Sequence, residues 1–212
     1  ENSANAPGLG SITTLSVAIV AGTICDRAMG YFGNGRGAAL SKGLNGVRPV
    51  CVADMIRRVA HKAAFMGYRE SFVRLLEPVG QFGMSAAGTE KVAHTVKLLT
   101  EACPGLVVGM TDGSNAFNRT LRRKILDQYK EHFPELLNTV RSFACRSAEI
   151  VFRMDDGSER IVPNPLGSQQ GSTNGSADFC LAALPGAEAM REKFGNMGQV
   201  FDDDGNVNVD NV

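Results

Sequence analysis

Near its C-terminal end the sequence reads VFDDDGNVNV, residues 200–209, with Asp202, Asp203 and Asp204 in a row between Phe201 and Gly205. Far upstream, PGLVVGMTD (104–112) is a short apolar run that ends on Asp112. Neighbouring carboxylates repel one another unless a cation holds them. Hard divalent ions such as Mg²⁺ take oxygen ligands and supply that cation. Two such ions about 4 Å apart can clamp an in-line phosphoryl displacement. If the two segments are neighbours in one sheet, Asp112 and the 202–204 cluster converge on such a site. The plainer alternative is a solvated Asp-Gly turn at the tip of a hairpin, which is how DDGS at 155–158 reads.

The elements that must position these acids follow from periodicity and punctuation. Residues 1–10 read as disordered, and Ile12 to about Met29 reads as one helix. YFGNGRG (31–37) is a Gly-rich loop. GAALS (37–41) and VRPVCVA (47–53) flank the turn residues of KGLNG, a β-hairpin pattern. Asp54 is placed to cap a helix running to Gly67, and a second helix covers about Glu70 to Leu76. QFGMSAAG (81–88) is a loop, and Thr89 is the expected cap of a helix to about Glu101. The run 104–112 fits a buried strand. Thr120 to about His132 is helical. AEIVFRM and ERIVP flank DDGS as a second hairpin. GSQQGSTNG (167–175) is a small-residue loop, and Ser176 to about Phe194 is a helix containing Pro185. MGQVF and NVNV around DDDG give a third hairpin. This order predicts an α+β fold with helices layered on an antiparallel sheet.

With these elements in place, the ordered blocks resemble the reverse transcriptase domain of non-LTR retrotransposons. TDGSNAFN (111–118) resembles the first palm motif, an Asp after an apolar strand with an aromatic five residues on. GSQQGSTNG resembles the second, built on a Gln-Gly pair. FDDDG (201–205) resembles the third, an aromatic, a variable residue and two aspartates. SKGLNGVRPV (41–50) resembles the fingers hairpin, and GQFGMSAAGTEKVAHTV (80–96) the segment joining fingers to palm. Together the blocks cover about residues 36–209.

The resemblance implies a right-hand polymerase with its thumb absent: an N-terminal extension with one helix (1–35), fingers (36–103) and palm (104–212). It implies template-directed DNA synthesis from RNA by nucleotidyl transfer, with an RNA template, a DNA primer and dNTPs as partners. Asp112 and Asp203 would hold two Mg²⁺ ions, with Mn²⁺ as a substitute, and Asp204 would assist at the metals or at the primer end. Backbone near Gly113 would touch the triphosphate. Phe117 would lie under the sugar as a gate against a 2′-OH, its alternative being a core phenylalanine. Gln170 and Gly171 would line the nucleotide and template pocket. Arg48 would grip the triphosphate through its planar fork. Lys42 would do the same from the facing strand, or else is a solvated turn lysine.

Two departures stand out. After Gln-Gly the family continues with an acid, a proline and a further glycine, whereas here Ser172, Thr173 and Asn174 precede Gly175. The variable residue of the third motif is apolar in the family and is Asp202 here, which raises local repulsion. These departures, together with zero net charge, favour a competing reading as a decayed palm that binds nucleic acid or protein. A relative that copies RNA into RNA is the third reading, and Phe117 argues against it.

Composition sets outer bounds. The chain has 212 residues, 43% hydrophobic and 21% charged, with 22 basic and 22 acidic residues. That is ordinary for a globular protein, and the balance gives no global attraction for nucleic acid. Cys25, Cys51, Cys103, Cys145 and Cys180 are widely spaced, with no CxxC pair, which reads as reduced thiols in an intracellular (cytoplasmic or nuclear) protein. Cys145 and Cys180 are expected in the core. The start resembles no signal peptide, and the apolar stretch Ser16–Ala21 is too short to span a membrane. With no initiator Met and no recognisable thumb, the sequence is expected to be part of a longer chain. His61, His94 and His132 have no partners at metal spacing and read as structural. Arg57, Arg58 and Lys62, and the run Arg122–Lys124, read as helix-face bases, solvated or against template phosphate.

Overall fold

In a computed structural model, residues 8–41, 47–109, 113, 115–146, 148–169 and 171–194 are described. The chain divides into two compact units. One comprises Glu1–Tyr68 with Asn115–Ala182, the other Arg69–Ser114 with Ala183–Val212.

The first unit opens with two helices where periodicity predicts one: α1 (Leu9–Ala21) and α2 (Asp26–Gly33). Gly22 supplies the physical reason. It takes the left-handed conformation at φ 69°, and its N–H turns back to the carbonyls of Ala18 and Ile19. That closes the first helix before Asp26 starts the second. The expected Gly-rich loop at 31–37 is accordingly shorter, since α2 runs to Gly33 and the next strand starts at Gly35.

The sheet has the order β2-β1-β3-β4. β1 (Gly35–Ser41) and β2 (Val47–Ala53) form the first hairpin, with Gly35 opposite Ala53 and Ser41 opposite Val47. β3 (Ala148–Arg153) and β4 (Glu159–Asn164) form the second, with Ala148 opposite Asn164. The hairpins join through a parallel pairing of β1 with β3, Gly35 to Gly37 against Ile150 to Phe152. The sheet is therefore mixed rather than antiparallel. The fold class is α+β, as expected.

α3 (Met55–Met66) follows β2 directly. Asp54 caps it as predicted, accepting from the N–H of Ile56 at 2.9 Å and of Arg57 at 3.5 Å. Its buried face carries Arg57, Ala60, His61 and Phe65, the i, i+3, i+4, i+8 spacing of one helical stripe. Two of those four side chains are ionisable, so this face demands polar partners.

After a four-residue turn of helix, α6 (Ala116–Arg119), the unit continues with α7 (Arg122–His132) and α8 (Pro134–Ala144). Periodicity assigns no element to 133–147, yet Pro134 at the first helical turn and Glu135 behind it are ordinary helix-start signals. Ile125 and Tyr129 of α7 and Leu136 and Val140 of α8 are buried. Thr139 donates to the Val20 carbonyl at 2.6 Å, fixing α8 to the end of α1. α9 (Gly175–Phe194) is helical through Pro185, and its early residues Ala177, Cys180 and Leu181 enter the core.

The second unit holds α4 (Arg69–Leu76), a 3₁₀ turn over Glu77–Val79 and α5 (Gly88–Ala102). α5 begins two residues earlier than expected, at Gly88. Its N-cap is Ala87 at φ 53°, with no side-chain cap, so Thr89 lies inside the helix. The predicted buried strand at 104–112 is not found over its described part. Leu106 to Gly109 have no regular structure, and Val107 is 90% exposed. An apolar run becomes a buried strand only when a neighbouring strand covers it, and among the described residues none pairs with it. The third predicted hairpin lies outside the described residues.

Among the described residues no single helix is long and apolar enough to cross a membrane. Among the described residues none of the five cysteines is in a disulfide. Cys180 is buried as expected. Cys145 is exposed instead, because it sits at the C-terminal end of α8 rather than on its packed face.

Candidate functional site

The residues with proposed roles divide sharply. Asp112, Asp203 and Asp204, with Lys42 and Gln170, lie outside the described residues, as does Asp202. Arg48 lies in β2 with its Cα opposite that of Leu40. Gly113 is exposed. Phe117 and Gly171 are described in detail, and they belong to one assembly.

Phe117 sits in α6, half-buried, with its ring stacked on Phe179 of α9 at a centroid distance of 5.2 Å and 29° between planes. Its carbonyl accepts from the Ser168 N–H at 3.0 Å. The loop 167–175 therefore starts against the backbone of the first motif's aromatic. Gly167, at φ 60°, leans so closely on the Phe117 carbonyl that a side chain there would collide with it. At the far end of the loop, a Cβ on Gly175 would lie 3.6 Å from the Phe117 ring. Between them Gly171 has φ +105°, and a Cβ there would come 2.5 Å from the Cys51 carbonyl of β2. Only glycine fits both that dihedral and that approach. The loop is thus wedged between Phe117 and the strand that carries Arg48.

Beneath the loop lies a buried polar cluster that sequence reasoning did not single out. Asp178, 4% exposed, is its hub. Its carboxylate accepts from the Tyr129 hydroxyl at 2.9 Å, from the Asn174 side-chain amide at 2.8 Å and from the Ser168 hydroxyl. Burial pushes the Asp178 carboxyl up to about 6, against the opposing pull of these three donors. The same burial, with Asp178 beside it, holds the Tyr129 phenol well above its ordinary range.

Asn174 passes the constraint on. Because its amide N–H₂ faces Asp178, its oxygen faces outward, accepting from Ser172 Oγ at 2.6 Å and lying 3.3 Å from His61 Nδ1. That orientation puts the imidazole proton on Nδ1. Burial, and secondarily Arg57, lowers the His61 pKa to about 3, so the ring is neutral. His61 is structural, as expected of an isolated histidine. His94 on α5 is exposed, and among the described residues the ionic neighbour of His132 is Glu131, 4.0 Å away.

Arg57 corrects its sequence reading. It is 6% exposed, so it is neither a solvated helix-face base nor a phosphate contact. Its Nη1 donates to the Gly33 carbonyl at 3.2 Å and to Gln169 Oε1 at 3.3 Å, and its guanidinium lies 4.2 Å from the centroid of the Phe143 ring. Gln169 Nε2 donates to the same Gly33 carbonyl at 3.2 Å. Burial lowers the Arg57 pKa only to about 10, so the cation persists at neutral pH. Arg122 is likewise structural. Its fork serves the carbonyls of Gly167 at 3.0 Å, Asn164 at 2.8 Å, Ala144 at 3.4 Å and Arg146. Arg58, Lys62, Arg123 and Lys124 are exposed.

Arg57, His61, Gln169, Asn174 and Asp178 line a cavity of about 40 Å³. Arg57 Nε and His61 Nε2 are buried without a hydrogen-bond partner among the described residues. One is a donor and the other an acceptor, and the volume is enough for a water molecule that would serve both. The signal in the sequence was an Asp inside an otherwise apolar helix stretch, ADFCLAAL, four residues after an Asn. Such an acid must find partners or lose its charge.

Among the described residues no group of three or more His, Cys, Asp or Glu side chains could hold a metal ion. Comparison of the chain with protein-family models, with curated proteins and with solved structures finds no match.

Proposed function

We propose that this chain comprises fingers and palm of an RNA-directed DNA polymerase of the non-LTR retrotransposon type. The observation that carries the reading is the order of five motif blocks between residues 36 and 209, with acids, an aromatic and a Gln-Gly pair at the spacings such a palm uses. Geometry lends support. The tail of the first motif, the second motif loop and strand β2 of the expected fingers hairpin pack together, with Phe117 and Gly171 at their contacts.

In this reading the primer 3′-OH attacks the α-phosphorus of a dNTP and pyrophosphate leaves. Asp112, Asp203 and Asp204 form an all-carboxylate donor set, which suits Mg²⁺. Bound ions would supply charge neutralisation at the transferring phosphoryl group. The protein's own contribution is positioning: Arg48 toward the triphosphate, Phe117 beneath the sugar, the 167–175 loop at the nucleotide and template pocket.

The test is primer extension on an RNA template by this chain, extended downstream. Asp203→Asn should abolish extension, by at least a hundredfold, and rNTPs should be used far less than dNTPs. Equal extension by wild type and variant would remove the site assignment, and preference for rNTPs would favour the RNA-copying relative. Asp202 favours a second reading, a palm that has lost activity and retains a binding role. In that case wild type fails to extend while still retaining primer–template.

A further inference from the structure

The second motif lacks the acid and proline that stiffen this loop in the family the chain resembles. Ser172 and Thr173 stand there, yet the loop is closely held. Its backbone makes its own tight turns, Ser172 N–H to the Gln169 carbonyl at 2.8 Å and Gly175 N–H to the Ser172 carbonyl at 3.2 Å. Three of its side chains, those of Ser168, Ser172 and Asn174, lead to one carboxylate, directly or in one step. Ser168 and Asn174, at the two ends of the loop, both donate to Asp178. Ser172, in the middle, donates to Asn174. Tyr129 of α7 anchors Asp178 from below, and His61 of α3 holds Asn174 from the side. Asp178 lies in the first turns of α9, so the loop is pinned to a rigid element.

We propose that Asp178 is the positioning residue of the 167–175 loop, its carboxylate bridging the loop's two ends in place of the missing proline. This rests on the polymerase reading only for its consequence. The brace itself is a property of the chain, whereas its effect on nucleotide use requires that the loop line the nucleotide pocket. A proline restrains a loop by limiting its unfolded conformations. A buried acceptor shared by three donors restrains it by the cost of leaving those donors unpaired. The two devices are interchangeable in effect, which makes the proposal open to rescue. Thr173 is exposed, and among the described residues its N–H has no backbone acceptor, which makes it the position for a proline.

The experiment compares amide hydrogen exchange in wild type, Asp178→Asn, Asp178→Leu and Asp178→Leu/Thr173→Pro, with exchange in the β3–β4 hairpin as the control for folding. In Asp178→Leu, amides of 168–175 should exchange at least tenfold faster while the hairpin is unchanged. Asp178→Asn, which keeps one acceptor oxygen, should fall between. The added proline should recover at least half of the lost protection. Unchanged loop exchange in Asp178→Leu, or no recovery with proline, overturns the proposal. If Asp178→Leu loses the hairpin protection too, Asp178→Asn decides, and wild-type loop exchange in that variant overturns the brace. In primer extension the Asp178→Leu variant should raise the dNTP KM at least fivefold with less effect on kcat. Loop exchange that rises with KM unchanged overturns the positioning role. Absence of extension by wild type with loop exchange as expected instead overturns the polymerase reading and leaves the brace standing.

Discussion

Asp178 and His61 are two buried ionisable residues in one network whose titrations oppose each other. The folded-state pKa of Asp178 is raised, from 3.8 to about 6. Its contribution to stability is therefore fully present below about pH 4 and lost as pH rises toward 6, because the folded state binds the extra proton in that window. His61 is shifted the other way, from 6.5 to about 3. Its contribution is fully present above about pH 6.5 and lost as pH falls toward 3, since only the unfolded chain takes up that proton. Between about pH 4 and 6 the two slopes nearly cancel, so single variants should reveal each. Relative to Asp178→Asn, wild type should lose about 3 kcal/mol between pH 4 and 6, at about 1.4 kcal/mol per pKa unit. Relative to His61→Gln, wild type should lose stability as pH falls from 6.5. Urea denaturation at several pH values measures both. Parallel pH profiles for wild type and Asp178→Asn would mean that the carboxylate is not desolvated in the fold.

At the scale of elements, two caps that look alike in the sequence behave differently. Asp54 and Thr89 each precede a helical pattern, yet only Asp54 meets the backbone N–H groups of its helix. Asp54→Ala should cost about 1 kcal/mol, because it frees two N–H groups at the start of the helix that carries Arg57 and His61. Thr89→Ala, inside α5 on an exposed face, should stay within about 0.5 kcal/mol. Equal losses in denaturant titrations would refute the distinction. The same contrast explains what was legible. Hairpin β1–β2, hairpin β3–β4 and the span of α3 follow from local patterns, two-residue alternation or a cap and a Gly stop, and they stand where expected. The division of 12–29 into two helices depended on Gly22 taking a left-handed dihedral, which one glycine in a periodic run does not announce. The loop at 167–175 was legible as a small-residue segment, but its support was not. Tyr129, His61 and Asp178 come from three helices far apart in sequence, and only tertiary packing brings them under one loop.

The whole molecule carries no net charge, so any hold on nucleic acid must come from local surfaces rather than from a global field. A protein with no net charge should bind primer–template weakly and with a shallow salt dependence, since few counterions are released. Divalent ions are then a sharper probe of the polymerase reading than nucleic acid itself. Asp112 and Asp203 are remote in sequence, so an ion shared between them would bind the folded chain and not the unfolded one. Such binding stabilises by RT ln(1 + [L]/Kd), about 2.7 kcal/mol when the ion is at a hundred times its Kd. Mg²⁺ or Mn²⁺ should therefore raise the thermal midpoint of wild type in a saturable way. The gain should vanish in Asp112→Asn and in Asp203→Asn, and Ca²⁺ in place of Mg²⁺ tests whether any hard cation suffices. Asp202→Val, which restores the apolar residue of the third motif, should shift the Mg²⁺ midpoint while preserving saturation. A midpoint that ignores Mg²⁺ and Mn²⁺, or rises equally in the Asp112→Asn and Asp203→Asn variants, would mean that these carboxylates do not share a cation, and the decayed-palm reading would replace the catalytic one.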